Sequence, residues 1–280
     1  MVQHGAHALG VSLDSFGHSV IADPITKMPK RITECPMENG VVDLRVYLKN
    51  SPGYDLWIDG QDEFEKIVGA GGAIEENSFA GYKDEIEYDR VIYEHFRLSG
   101  NVLDVGGGVG TIREFLDSAV NYMSVDPHIG CFSEIPQAKI DAYSCLKENC
   151  NFISGMAEFL PITSTSFDWV HMRSMLDHVQ VPDLALIEVR RVLKENGRLL
   201  VGMLVEGGRS GRRTFGEKVK EFVKALLAFF LKRFRDHHVW HPTYSGLVKL
   251  LSDNGFEVVR EFWQPKWHDK VVYIEARVRE

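Results

Sequence analysis

Two acids and a run of glycines are the residues best spaced for chemistry in this 280-residue sequence. In "VLDVGGGVG" (102–110), Asp104 stands two positions ahead of Gly106, and Gly108 and Gly110 follow. An apolar run that turns through glycines presents backbone N–H groups to something negative or strongly polar. A triphosphate loop needs a lysine after its glycines, and none is here. A dinucleotide loop needs G-x-G-x-x-G, and counting from Gly106 and Gly108 the third position is Thr111. Asp104 would also repel a pyrophosphate, whereas it attracts an ammonium group, directly or through water. The second acid, Asp126 in "YMSVDPH", lies 20 residues after Gly106. There a ribose diol can donate to a carboxylate. A ligand with a ribose at one end and a cationic amino acid at the other satisfies both acids. S-adenosylmethionine is such a ligand.

Further candidates lie downstream. Arg173 and Ser174 follow the apolar run "FDWVHM", where ligands of open sheets bind. Arg173 either grips the ligand's carboxylate through charge-assisted bonds or makes an ordinary ion pair. His178, in "LDHV", is a candidate general base. The stretch "RDHHVWHPTY" (235–244) crowds three histidines among an acid, a tryptophan and a tyrosine. His238 and His241 are read as candidate bases, since an aromatic wall desolvates an imidazole and keeps it neutral near pH 7. Asp236, His237, His238 and His241 together lack the second carboxylate of a magnesium site, so no metal is expected.

These residues need a frame. Strand candidates are 101–105, 121–125, 151–153, 168–172, 198–203, 256–262 and 271–278, with helices between them. Such alternation predicts a mostly parallel sheet covered on both faces. The link between the last two candidates is too short for a crossover, so they are expected to pair antiparallel. The spacing of Ile86, Val91, Ile92 and Phe96 predicts a helix over 84–98. Residues 1–75 read as an N-terminal extension holding one small β element, "VVDLRVYL" (41–48). Residues 76–280 read as the ligand-binding domain, with an insert over 206–250.

Composition narrows the function. Net charge is −8, so a general nucleic-acid binder is not expected. The four cysteines form no C-x-x-C pair and fit a reducing compartment, read here as the cytoplasm. The segment 217–235 is amphipathic and basic, either a lid over the site or a helix that contacts a membrane surface.

The motifs together resemble those of class I S-adenosylmethionine-dependent methyltransferases. "VLDVGGGVG" is similar to their first motif and "SVDP", with Asp126 and Pro127, to their second-strand acid. "GMAEFLPITSTSFDWVHMRSMLDHV" (155–179) resembles their adenine loop, fourth strand and following turn, and "EVRRVLKENGRLLVG" (188–202) their next helix and strand. The resemblance covers 84–205 well, 206–280 loosely and 1–75 not at all. It implies an α/β Rossmann-like fold, a mostly parallel seven-stranded sheet with a reversed last strand. It implies S-adenosyl-L-methionine as cofactor, held by Asp104, Gly106, Gly108, Gly110 and Asp126. It places Met156 and Ala157 beside the adenine. Met156 stands where the family often has an acid, so the methionine is expected to pack on the ring and the Ala157 N–H to serve its edge.

The expected activity is methyl transfer to a small-molecule acceptor, at a hydroxyl oxygen, in a pocket formed by 174–180, the 206–244 insert and Tyr82. Two alternatives stand beside it: a lipid acceptor at a membrane surface, and a non-catalytic cofactor-binding subunit. A nicotinamide dehydrogenase is the weakest rival. Oligomeric state is left open.

Overall fold

The computed structural model describes residues 10–51, 54–55, 58, 78–132, 135–211, 240–265 and 269–279. The expected helix at 217–235 therefore lies outside the described residues, as do Asp236, His237 and His238.

Among the described residues nine strands form one sheet. They are β1 (Met37–Glu38), β2 (Val41–Asp43), β3 (Asn101–Val105), β4 (Asn121–Asp126), β5 (Phe152–Ser154), β6 (Phe167–Arg173), β7 (Leu193–Leu204), β8 (Phe256–Trp263) and β9 (Val271–Val278). Their order is β1-β2-β5-β4-β3-β6-β7-β9-β8. Strands β2 to β7 run parallel, and β9 is antiparallel to both neighbours. The chain fills one side of β3 with β4 and β5, then crosses to β6 on the other. That reversal opens a crevice at the carboxyl ends of the central strands, where open α/β sheets bind ligands.

Alternation along each strand builds two cores. Leu103, Val105, Met123, Val125, Val170, Met172 and Val201 face α4 (Pro182–Val192) and α5 (Tyr244–Asp253). Val102, Tyr122, Trp169 and Leu200 face α2 (Phe79–Phe96). Ser78 caps α2 by accepting from the Gly81 N–H at 3.0 Å. Its buried side chains, Tyr82, Ile86, Asp89, Ile92, Tyr93 and Phe96, form one stripe at steps of three and four, with Ile92 and Tyr93 side by side within it. Val91, expected on that face, is off the stripe and 45% exposed.

The seven expected strands are present, each within two residues at either end except β7, which begins five residues early at Leu193. Two expectations are corrected. The β element at 41–48 is a strand only over Val41–Asp43. The Asp43 carboxylate accepts from the Arg45 N–H at 3.1 Å and turns the chain into a 3-10 turn, Leu44–Leu48. The helix expected after the glycine turn is a single 3-10 turn, Thr111–Phe115. Asp117 accepts from the Ala119 N–H at 3.0 Å, a local bond that competes with helix propagation.

The described part of the N-terminal segment is built into the sheet. β2 pairs parallel with β5, Val11 bridges to Cys150, and Ile21 bridges to Ile162. Short α1 (Ser15–Val20) sets the Phe16 ring edge-on to Phe167, 5.7 Å between centroids. At the far edge, buried Glu275 of β9 pairs with Arg198 of β7 and Arg260 of β8. Arg260 also donates to the carbonyls of His95 and Phe96, closing the end of α2.

Phe167 is 0% exposed and joins the sheet core to the N-terminal segment. Phe167→Ala is expected to destabilise the fold by about 3–5 kcal/mol, read as a lower urea midpoint.

Candidate functional site

The glycine turn is shaped around a buried carboxylate. Asp104, on β3, is 2% exposed. The Tyr122 hydroxyl of β4 donates to its Oδ2 at 2.8 Å, and His171 Nδ1 of β6 lies 2.7 Å from its Oδ1. Tyr93 Oη of α2 lies 3.3 Å from His171 Nε2. Burial, reinforced by the Asp104 charge, pushes the Tyr122 phenol well above its ordinary range, so it stays a donor. Three strands and a helix thus converge on one acid. Both of its oxygens are engaged on the buried side of the turn.

The glycines differ in what they are for. A Cβ on Gly107 would lie 2.4 Å from Asp104 Cγ, and one on Gly110 would lie 2.9 Å from the Tyr122 hydroxyl. A Cβ on Gly106 would meet Met175 at 2.8 Å. Over Gly108 the nearest atom is Asp126 Oδ2, 4.0 Å away. Three glycines make room for protein, and Gly108 makes room for something else.

Asp126 ends β4 beside that opening. Its Oδ2 accepts from the Gly108 N–H at 3.0 Å and its Oδ1 from the His128 N–H at 2.8 Å. Burial pushes its carboxyl above the ordinary aspartate range, against those two bonds, which pull it down. Each oxygen keeps a lone pair for a further donor. The Pro127 carbonyl accepts from Arg45 Nη1 at 2.7 Å and from the Ser154 hydroxyl at 3.4 Å. After β5, Met156 is buried against Leu48, with Tyr54 and Phe159 beside it. Ala157 is buried in the main core and opens a 3-10 turn, Ala157–Phe159. Glu158 accepts from the N–H groups of Gln180 and Val181 at 3.0 and 3.4 Å, tying this loop to the start of α4.

At the end of β6, Arg173 is held by Asp89 of α2, in a two-pronged pair that includes Nη2 to Oδ1 at 3.0 Å. The structure thus shows the ion-pair alternative for Arg173, with a buried carboxylate as partner. Ser174 is exposed and left-handed, φ 49°, its N–H donating to the Gly202 carbonyl at 2.8 Å. A non-glycine residue held there is strained, and such strain gathers at functional sites. His178 follows, with 29% of its side chain exposed and Nε2 3.9 Å from Asp177 Oδ1. The Trp240 indole N–H donates to the Leu176 carbonyl at 3.0 Å, so the 240–244 segment rests on the 174–180 turn. His241 is exposed, contrary to the desolvated imidazole expected there. Trp240 turns inward and Pro242 is buried, so the residue between them faces out. Tyr82 is buried against Tyr143, with ring centroids 6.4 Å apart.

Four residues of the site escaped the sequence reading. His171 carried a signal: a histidine inside a fully buried strand needs a polar partner. So did Asp89, which shares the apolar stripe of α2 with Ile86 and Tyr93. Arg45 and Glu158 carried none.

The donors fit S-adenosylmethionine at its nucleoside end: an open glycine N–H turn beside an acid with spare acceptor capacity. Comparison with known proteins agrees. The family described as methyltransferase domain matches residues 103–201. The demethylmenaquinone methyltransferase of Renibacterium salmoninarum is 34% identical over 101 residues, 36% of this chain and 39% of that protein. The ubiquinone/menaquinone biosynthesis C-methyltransferase of Hahella chejuensis is 32% identical over 117 residues, 38% and 43% of the two chains. The chain thus spans less than half the length of these curated relatives. A solved Thermotoga maritima structure, described as a possible histamine N-methyltransferase, shares the fold at TM-score 0.50 and 20% identity, covering 78% of this chain and 98% of that one. Residues 103–201 thus match a methyltransferase domain, set in a sheet whose fold is shared with the Thermotoga maritima structure.

Asp126→Ala is expected to weaken S-adenosylhomocysteine binding by about 1.5–3 kcal/mol in calorimetry. Because only the ionised carboxylate accepts two hydroxyls, wild-type affinity should also fall with acid. The fall should begin at a higher pH than an ordinary aspartate would give, and Asp126→Asn should flatten it.

Gly107→Ala and Gly108→Ala should separate two losses. The first collides with Asp104 and should cost the fold about 1–3 kcal/mol, read as a lower thermal midpoint. The second places a side chain at φ 48°. It should cost about 1–2 kcal/mol from the backbone and, in addition, obstruct the ligand.

Proposed function

We propose that this chain binds S-adenosyl-L-methionine at the carboxyl ends of β3, β4 and β5 and transfers its methyl group to a small-molecule acceptor, at a hydroxyl oxygen. The observation that carries the reading is the space above Gly108 beside Asp126. The cofactor supplies a sulfonium whose methyl needs little activation. The protein's work is in-line positioning and removal of one proton. The acceptor oxygen gains the methyl, the sulfonium becomes a neutral thioether, and the hydroxyl proton passes to a base or to water.

The 174–180 turn and the 240–244 segment resting on it are the walls proposed for the acceptor. Of the two candidate histidines that lie among the described residues, His178 is the better placed base, since it lies in that turn and is partly shielded. His241 is a second candidate, and His238 a third from outside the described residues. The free thiols of Cys35, Cys131, Cys145 and Cys150 support a reducing compartment, read as the cytoplasm. No helix among the described residues is long and apolar enough to cross a membrane.

The relatives named as quinone methyltransferases favour a second reading, carbon methylation of a lipid-linked ring at a membrane surface. The basic amphipathic segment 217–235 would be its contact. Labelled methyl transfer to panels of phenols and quinols, with NMR of the product, separates an O-methyl from a C-methyl. Sedimentation with anionic liposomes tests the surface contact. Tight cofactor binding without transfer to either panel would favour a non-catalytic subunit.

Replacing the true base by Ala should lower turnover about 10²–10⁴-fold and leave S-adenosylhomocysteine affinity nearly intact. The wild-type rate should fall on the acid side as that histidine protonates. If His178→Ala, His238→Ala and His241→Ala all stay within a few-fold of wild type, none of these three is the base.

A further inference from the structure

We propose that Arg45, in the N-terminal segment, is a positioning residue for the nucleoside end of the cofactor site. The proposal rests on the cofactor reading above and adds to it a part of the chain outside the matched family domain, residues 103–201.

Arg45 lies just after β2, one strand in from the sheet edge, next to β5 and two strands from β4. Its side chain is 15% exposed, and the guanidinium is fixed on several sides. Nε donates to Asp43 Oδ1 at 2.8 Å and Nη2 to Asp43 Oδ2 at 3.1 Å, a bidentate grip on a carboxylate that is itself buried. Nη2 also reaches Glu38 at 3.4 Å. The remaining nitrogen, Nη1, is thereby aimed at the Pro127 carbonyl, 2.7 Å away. Pro127 is the residue after Asp126, and the next N–H, on His128, holds Asp126 Oδ1. Arg45 therefore fixes the loop that fixes the ribose-binding acid. Three residues on, Leu48 packs against Met156 in the loop after β5, with Tyr54 beside it. One short segment thus touches both loops that flank the nucleoside. Closing the sheet requires neither contact, since the β2–β5 ladder is made by backbone at Val42 and Asp43.

The test is a binding cycle on the full chain, using S-adenosylhomocysteine and adenosine as probes in calorimetry. The proteins are wild type, Arg45→Ala, Arg45→Lys, Asp126→Ala and the Arg45→Ala/Asp126→Ala double variant. Arg45→Ala should weaken both probes by the same factor, about 5–30-fold, since the loss falls on the half they share. Arg45→Lys should recover part of it. In the Asp126→Ala background Arg45→Ala should change affinity less than about twofold, because its effect runs through that acid. A merely structural tie would lower the thermal midpoint and cost affinity equally in both backgrounds, and that result overturns the proposal. Wild-type affinity in a folded Arg45→Ala overturns it too. If Arg45→Ala does not fold, Arg45→Lys and Arg45→Gln are read in the same cycle by the same criteria. If the Asp126 variant loses affinity and the Arg45 variants do not, only the Arg45 assignment falls. If wild type binds neither probe, the cofactor reading falls and this proposal with it.

Discussion

A carboxylate buried at the end of the central strand is the constraint to which the rest of the site conforms. The Asp104 carboxylate is buried and needs hydrogen-bond donors, because a buried polar group left without partners is costly. Tyr122 comes from the strand on one side and His171 from the strand on the other, each less than 3 Å away. Tyr93 extends the network into α2. Gly107 leaves the space the carboxylate occupies, so the turn above it can only be glycine at that point. The same turn brings the Gly108 N–H to Asp126 and leaves it open above. Satisfying one buried carboxylate therefore shapes the open surface above Gly108 that is proposed to meet the ligand.

The same device recurs where helices meet the sheet. Asp89 on α2 holds Arg173 at the end of β6, and Gln264 donates to Asp89 at 3.4 Å. Glu158 binds the backbone at the start of α4. Glu275 gathers Arg198 and Arg260 at the reversed strand. Apolar contact alone would let helices slide over a flat β surface. Directional charge-assisted bonds set their position along it. Buried pairs of this kind add little net stability, but they penalise misplacement heavily because a displaced partner leaves a charge unpaired.

The N-terminal segment shows how an edge becomes part of a site. A parallel sheet ends in unpaired N–H and C=O groups, and β2 covers those of β5. Having covered the edge, the chain must turn back, and Asp43 makes that turn by accepting from the Arg45 backbone. The turn leaves the Arg45 side chain over the loop after β4 and Leu48 over the loop after β5. Edge protection and the shape of the wall proposed for the nucleoside are two consequences of one short strand and its turn.

What the sequence determined by itself was whatever depends on near neighbours along the chain. The apolar strands, the glycine turn and the acid 20 residues beyond it were legible, because a strand–turn–strand unit of that length brings the two carboxyl ends together whatever else the fold does. The antiparallel last pair was legible for the same reason, since a short link allows nothing else. Tertiary structure alone decided the partners of each charge. Arg173 could be read as a ligand for a carboxylate, but only the docking of α2 shows that Asp89, 84 positions earlier, is that carboxylate. Asp104 looked free to meet an ammonium until Tyr122 and His171 closed on it from two strands. Arg45 gave no sign at all, because its target lies 82 positions away across an edge pairing that no local pattern encodes. Periodicity reports which face of an element is buried. Which groups meet there depends on strand order and register, and those are settled by burial summed over the whole sheet.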